Sequence, residues 1–510
     1  MASRRDELNA YTFAKRRLVA SFLQPSPSGT EEGAPRPLQA VVPGMIAAAV
    51  LVAGFGAWGM FKPTAPVGWD KPGDKVIIGS DSTTRYVVLK TKKHKQLHPV
   101  LNLASAKLLL TTDNFQVVNV DEKVLDSGKI PHGPTLGIPY APDRLPSSDE
   151  AKKAKRWAVC EQQGEGGDVQ KATFVFDDRE ASRVDGRQRL KRGDVMYVRG
   201  QGGKLYMVDH RGYKYELANN EKLLRPLMGT EGTDKPQRVS NDWLDTLKPG
   251  DPIDFQSVGP GVGNVPNIPG DTLPQEINKI GTVLKAPYNG SMQHYVVLKD
   301  RIAPITDFMA YLLLASPELG TLHQAAKPVQ VGSQSFTPGA EFGGNLRWPE
   351  TKTHRVNFPA GTYGGRDTVC SVLRGVDSQD ADTTLSTWAG TNYPQKIVND
   401  TTSAYVTPGS GLLFRQVQGS DTSTGSVFLA TDSGLRYGVQ TNGDSGTATS
   451  EIGTDGGKKS KEQAQQEAMK AQKRLGYGGI KPVPVPLTWS KFLPTGPRLD
   501  TNSARQPQGS

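Results

Sequence analysis

The run from Val41 to Phe61, VVPGMIAAAVLVAGFGAWGMF, constrains this chain more than any other feature. Its 21 residues carry no charge, and as an α-helix they cover roughly 30 Å, the thickness of bilayer hydrocarbon. Lys62 and Pro63 end it, and Trp58 stands near its far end, where an amphipathic ring favours the interface. Arg4, Arg5, Lys15, Arg16, Arg17 and Arg36 come before it. Basic residues this close to a span stay in the cytoplasm, so the expected topology is an inside N-terminus with the bulk of the chain extracytoplasmic. A head of about forty residues is too long for the n-region of a cleaved signal, and the apolar run exceeds an h-region, so the span is read as a retained anchor.

Within the span, Gly44, Ala48, Ala49, Ala53 and Ala57 fall at small-xxx-small spacings that permit close helix contact. Gly44, Ala49 and Ala53 are the candidate packing positions, although Ala and Gly are also ordinary span composition. Residues 1–23 read as an amphipathic helix with Ser3 as cap and Asp6 and Glu7 in the first turn. Leu8, Tyr11, Leu18 and Phe22 share a face interrupted by Lys15, with the arginines elsewhere. Such a helix suits an anionic membrane surface or a cytoplasmic partner, with Leu8, Tyr11, Phe13, Arg16 and Arg17 as the candidate contacts. Residues 24–40 form a Pro/Gly-rich linker.

The remainder, residues 62–500, is expected to be one extracytoplasmic domain of α+β class. Its 56 glycines and 37 prolines across the chain call for many turns and short strands. A short β-type run recurs four times, at Thr84 to Leu89, Leu205 to Asp209, His294 to Lys299 and Val427 to Asp432. The second and fourth lead through an Asp/Gly turn into another Tyr-bearing strand, a hairpin signal. The first and third are followed by apolar helical runs, Val100 to Leu110 and Ile305 to Leu314. Four small α/β modules are therefore expected near residues 70–125, 190–235, 275–330 and 410–445, around a central β core near 155–185 and 340–400. The order module, centre, module, module, centre, module suggests quasi-twofold symmetry. Gly229 to Pro274 reads as a long irregular loop, Ser460 to Arg474 as a polar helix, and residues 501–510 as a disordered tail.

Cys160 and Cys370 are the chain's two cysteines. In an oxidising compartment they are a disulfide candidate, and in a reducing one two buried thiols. A bridge would close a loop of about 210 residues, worth on the order of 5 kcal/mol by chain entropy.

A net charge of +10 raises nucleic acid as a partner, but the basic residues are interspersed with acidic ones and lack aromatic interleaving, so none is expected. Gly453 to Lys459 is one residue short of a phosphate loop and has Lys in place of the hydroxyl. His94 and His98 are four apart, as on a zinc-binding helix, but have no third ligand and lie among lysines. No Gly-x-Ser-x-Gly elbow occurs, and Asp432-Ser433-Gly434 reads as a hairpin turn. No catalytic residue, metal or cofactor is expected.

The head MASRRDELNAYTFAKRRLVASFLQPSPSG, the segment EEGAPRP and the span end AWGMFKP resemble the N-terminus of the EccB family, core membrane components of the type VII (ESX-like) secretion system of actinobacteria. The resemblance continues in Gly79-Ser80-Asp81 to Leu89, in Val483-Pro484-Val485-Pro486 and in Leu493 to Leu499. It implies one span in the inner membrane, a cytosolic head, and an elongated extracytoplasmic domain with four repeats in quasi-twofold arrangement. It also implies a Cys160–Cys370 disulfide. The implied role is that of a scaffold subunit. The head would contact an EccC-type motor ATPase, the span and body would meet EccD, EccE and other copies of the chain, and a mycosin protease would associate outside. The family resemblance raises ATP hydrolysis as well, for which the sequence lacks the phosphate loop. The alternative reading is a membrane-anchored cell-wall binding module.

Overall fold

A computed structural model describes residues 4–23, 37–61, 65–92, 94–111, 116–164, 168–228, 235–359, 365–397, 404–440, 452 and 470–508. The chain divides into two units, Met1–Val67 and Gly68–Ser510. The first holds helix α1 (Arg4–Leu23) and helix α2 (Pro37–Phe61). Ser3 and the expected linker up to residue 36 lie outside the described residues.

The second unit is built from one repeated plan. Module 1 comprises β1 (Lys75–Gly79), β2 (Arg85–Thr91), β3 (His94–Val100), helix α3 (Leu103–Leu109) and β4 (Gln116–Val120). The first three strands form an antiparallel meander, and β4 returns after the helix to lie parallel to β1, giving the order β3-β2-β1-β4. The chain then enters the central sheet through β5 (Arg156–Gln163) and β6 (Val169–Phe176). Module 2 follows with β7 (Asp194–Arg199), β8 (Leu205–Asp209), β9 (Tyr213–Leu217), α4 (Glu221–Met228) and β10 (Gln237–Arg238), which is again parallel to the module's first strand. A short helix α5 (Asn241–Leu244) and β11 (Lys248–Pro249, on the β9 edge) complete it. Module 3 repeats the plan with β12 (Val283–Tyr288), β13 (Ser291–Val297), β14 (Ile302–Ile305), α6 (Asp307–Ala315) and β15 (Val329–Gln330). After β16 (His354–Arg355), a second strand on the β7 edge, the chain revisits the centre as β17 (Thr368–Val376), β18 (Thr383–Gly390) and β19 (Ala404–Val406). Module 4 closes the series with β20 (Gly411–Val417), β21 (Val427–Thr431), β22 (Arg436–Gln440) and, after a helical segment at residues 470–477, β23 (Val483–Pro486) parallel to β20.

Each of the four β runs singled out in the sequence contains most of the middle strand of a module's meander: β2, β8, β13 and β21. Each of these strands holds three or four consecutive apolar residues, a run legible as a buried strand. Local signals set the helices. Asn102 accepts from Ser105 N to start α3, and Thr306 accepts from Met309 N to start α6.

The central sheet has the order β18-β17-β5-β6-β19 and is buried on both faces. The period of two sorts β5 cleanly. Trp157 and Val159 enter one core, while Ala158 and Cys160 enter the other with Phe174, Phe176, Cys370 and Trp388. The Trp157 face packs on modules 2 and 4. Modules 1 and 4 share a further core, as do modules 2 and 3. Two pairs of modules thus flank one sheet, the quasi-twofold plan expected from chain order.

Two expectations are corrected. Residues 501–508 are ordered, because Asp500 caps helix α7 (Thr501–Ala504) by accepting from Asn502 N and Ser503 N. Gln508 N then donates to Thr135 O at 2.8 Å, tying the tail to module 1. The supposed loop after residue 229 contains β10, α5 and β11, and it buries Trp243 completely, because Ser240 caps α5 and directs the indole into the central core. Of the expected polar helix, only the part from Lys470 onward lies within the described residues.

Candidate functional site

The residues proposed for assembly sit on α1 and α2. On a helix turning about 100° per residue, Leu8, Tyr11, Leu18 and Phe22 fall on one stripe with Lys15 among them. Phe13 does not join them: it lies on the other side beside Arg17, with Arg16 between the two faces, so the five candidate contacts form two surfaces. Arg4 also falls on the apolar stripe, at its very start. All of these side chains are exposed; Leu8 and Tyr11 are 66% and 69% accessible. In α2, residues Ala40–Ala57 have the length and composition of a membrane span. Gly44, Ala49 and Ala53 are exposed along it, and a Cβ placed on Gly44 would meet no atom within 4 Å. The Trp58 side chain lies outside the described residues.

Cys160 and Cys370 form a disulfide, with S–S 2.03 Å and Cα atoms 4.0 Å apart. They are register partners on neighbouring antiparallel strands, β5 from the chain's first visit to the centre and β17 from its second. The bridge therefore joins the two visits at the middle of the sheet.

Immediately beside it lies a buried polar junction with module 2. Glu161, fully buried, accepts from Ser240 N at 2.8 Å and from Ser240 Oγ, and Lys171 approaches within 4.0 Å. Burial raises the pKa of this carboxyl against the opposing pull of the Ser240 hydrogen bonds. Trp243 donates its indole N–H to Val159 O at 3.0 Å. Between β10 and β16, which occupy the β7 edge end to end, Asn357 completes the ladder with its side chain. Its Oδ1 accepts from Tyr197 N at 2.7 Å, and its Nδ2 donates to Tyr197 O at 2.9 Å. Nothing in the sequence pattern announces these residues. Asn357 lies 160 residues from Tyr197, and only the sheet brings them together.

The chemical candidates from the sequence resolve into structural features. His94 and His98 lie on strand β3, where four residues span roughly 13 Å, too far to share a metal. His98 is buried, with Nδ1 3.0 Å from Pro134 O, and burial lowers its pKa. Among the described residues no group of three or more His, Cys, Asp or Glu is placed to hold a metal ion. Asp432-Ser433-Gly434 forms the β21–β22 turn, with Gly434 at φ +77° and Ser433 Oγ 2.8 Å from Thr431 Oγ1. Gly453 to Lys459 lies outside the described residues.

One span-length helix followed by four like modules around a bridged central sheet is the plan of a membrane-anchored multi-module protein. Comparison of the sequence supplies the family. The chain belongs to the EccB family of type VII secretion: the family described as "Type VII secretion system ESX-1, transport TM domain B" matches residues 1–509. Similar proteins include the "ESX-5 secretion system ATPase EccB5" of Mycobacterium marinum, 26% identical over 66% of this chain and 62% of that protein. Another is the "ESX-1 secretion system ATPase EccB1" of Mycobacterium tuberculosis, 28% identical over 57% of this chain and 56% of that protein. The chain thus aligns with about three fifths of the length of these relatives. Its fold is that of a chain in an intact ESX-5 inner membrane complex, with TM-score 0.55 and 22% identity over 100% of this chain and 96% of that one. A chain of the EccB3 dimer from the ESX-3 core complex gives TM-score 0.55 and 21% identity over 84% and 99%.

Proposed function

We propose that this chain is a structural scaffold subunit of a type VII secretion membrane complex, supporting protein export across the inner membrane. The observation that carries this reading is that a chain with a disulfide-bridged body also has two helices whose apolar and small-residue surfaces are open. Leu8 and Tyr11 on α1, and Gly44, Ala49 and Ala53 on α2, meet no neighbour that covers them among the described residues of their own unit. In the proposed arrangement α1 is cytoplasmic and docks on an EccC-type motor ATPase, through Leu8 and Tyr11 on one side and Phe13, Arg16 and Arg17 on the other. The span packs through its small residues against EccD, EccE or another copy of the chain, and a mycosin protease associates with the extracytoplasmic body. Relatives carry the name ATPase. We read this chain as non-catalytic, because its sequence contains no Gly-x-x-x-x-Gly-Lys-Ser/Thr with which to hold a nucleotide's phosphates.

The test is purification of the tagged full-length chain from native membranes in mild detergent, followed by identification of what accompanies it. A megadalton assembly containing a motor ATPase and multi-span subunits is expected. Ala49→Leu with Ala53→Leu should reduce its recovery without unfolding the body. A free monomer or homodimer, with nothing more captured by crosslinking before extraction, would refute the scaffold role.

A further inference from the structure

The junction between module 2 and the central sheet contains a cavity of about 370 Å³ whose lining is charged in an unbalanced way. Arg199, Lys235, Arg238 and Arg355 face it, against one carboxylate, Asp367. Arg199 and Arg238 are register partners on the parallel strands β7 and β10, so two guanidinium side chains project side by side from adjacent positions. Like charges so placed repel unless something neutralises them. Among the described residues no carboxylate pairs with Arg199, Arg238 or Lys235. Arg355 is only 5% exposed and is held in place, with Nε donating to Asn357 O at 2.7 Å and Nη2 to Lys235 O at 3.1 Å. Its ring neighbours Tyr197 and Phe358 lie 5.2 and 4.9 Å from the guanidinium carbon. A buried, pre-oriented arginine flanked by exposed cations is the arrangement that recognises an oxyanion, because guanidinium N–H groups match its oxygens in pairs.

Asp367 narrows the class. The residue is only 8% exposed, and Oδ1 has no hydrogen-bond partner among the described residues. A fully ionised anion would be repelled by that carboxylate, whereas one carrying a hydroxyl would donate to it. Hydrogen phosphate brings both groups, as does a phosphomonoester in its monoanionic form, while sulfate at neutral pH brings only oxyanion oxygens.

We propose that this cavity binds a small phosphate-bearing anion, with Arg199, Arg238 and Arg355 on its oxygens and Asp367 accepting from its hydroxyl. The site is independent of the assembly role, since it lies within the body and uses none of the residues on α1 or α2.

The experiment is isothermal titration of the full-length chain in detergent, at fixed ionic strength, with inorganic phosphate, glycerol 3-phosphate and sulfate. Saturable 1:1 phosphate binding is expected, with sulfate at least about tenfold weaker. Arg199→Gln with Arg238→Gln should weaken phosphate at least about tenfold, the worth of one charge-assisted hydrogen bond. Asp367→Asn, which keeps the shape, should erase the preference over sulfate. Binding of glycerol 3-phosphate as tight as inorganic phosphate assigns the site to a monoester on a larger molecule, and binding of inorganic phosphate alone assigns it to the free anion. Three results would overturn the proposal: no binding at millimolar phosphate, equal affinity for sulfate, or affinity unchanged in the double variant. Binding of a polyglutamate peptide in place of phosphate would likewise overturn it, in favour of an acidic protein segment.

Discussion

Reduction of the Cys160–Cys370 bridge is the perturbation whose magnitude follows most directly from the fold. The cysteines are 210 residues apart in sequence and adjacent in the sheet. Between Trp157 and Gln162, β5 pairs with β17 through backbone contacts from Leu373 to Thr368, so the native sheet does not need the bridge to hold its register. The effect therefore falls on the unfolded chain, which gains the freedom of a large open loop. Loop-closure entropy for this separation gives about 5 kcal/mol lost on reduction. Guanidinium unfolding of the oxidised and reduced full-length chain measures it. Trp388, the register partner of Cys370, and Trp157 in the same sheet report the transition through their fluorescence. The midpoint should fall, and the denaturant slope should rise because the freed unfolded chain exposes more surface. A loss under about 1 kcal/mol with an unchanged slope would refute the reasoning, since the unfolded chain would then stay together without the bond.

Three further outcomes test the junctions between modules and centre. Trp243→Ala should cost about 3–5 kcal/mol from the cavity it leaves, and Trp243→Phe about 0.5–1.5 kcal/mol from the lost indole hydrogen bond to Val159 O, both read by chemical denaturation. Glu161 binds its proton more tightly folded than unfolded, so between the unfolded value near 4.5 and its raised folded value the native state holds more protons and stability falls as pH rises. Glu161→Gln should flatten that segment of the stability–pH curve, and an unchanged slope would remove Glu161 as its source. Gly212 sits at φ +79° in the β8–β9 turn, where an added Cβ would lie 2.8 Å from Leu385 Cβ of the central sheet. Gly212→Ala should cost about 2–4 kcal/mol through strain plus overpacking, seen as a lower melting temperature.

What the sequence made legible was whatever is encoded within a dozen consecutive residues. The middle strands of the modules announce themselves because each carries three or four consecutive apolar residues, as from Val427 to Ala430. The fourth strands do not: Gln237–Arg238 and Val329–Gln330 are two residues each, and their partners determine them. The ordered tail is hard to read because residues 502–508 are mostly polar, although Asp500-Thr501-Asn502-Ser503 carries a local capping signal. The stripe on α1 is visible from spacing alone, and the same spacing puts Phe13 on the opposite side of the helix. The cavity around Arg199 and Arg355 was invisible, since those residues are 156 positions apart and meet only through the edge of β7.

The route of the chain explains why the centre is built from two visits. Modules 2 and 3 are made between β6 and β17, and modules 1 and 4 stand at the beginning and end of the unit. Module 1 cannot complete its core until the end of the chain arrives: Lys107 donates to Leu475 O, Arg474 donates to Leu108 O, and Ala504 joins the same core. Module 2 and module 3 can share theirs as soon as both exist, because among the described residues their core draws only on those from Val195 to Trp348. Contacts that span most of the chain form after local ones, since the entropy of closing the loop is spent before the contact returns anything. The inner pair should therefore consolidate first, the central sheet next, and the module 1–module 4 core last. On that order the cysteines meet only when β17 aligns against β5, and the bridge then fastens a sheet whose register is already set. Pulsed hydrogen exchange during refolding reads the sequence directly, and protection of module 1 ahead of modules 2 and 3 would contradict it.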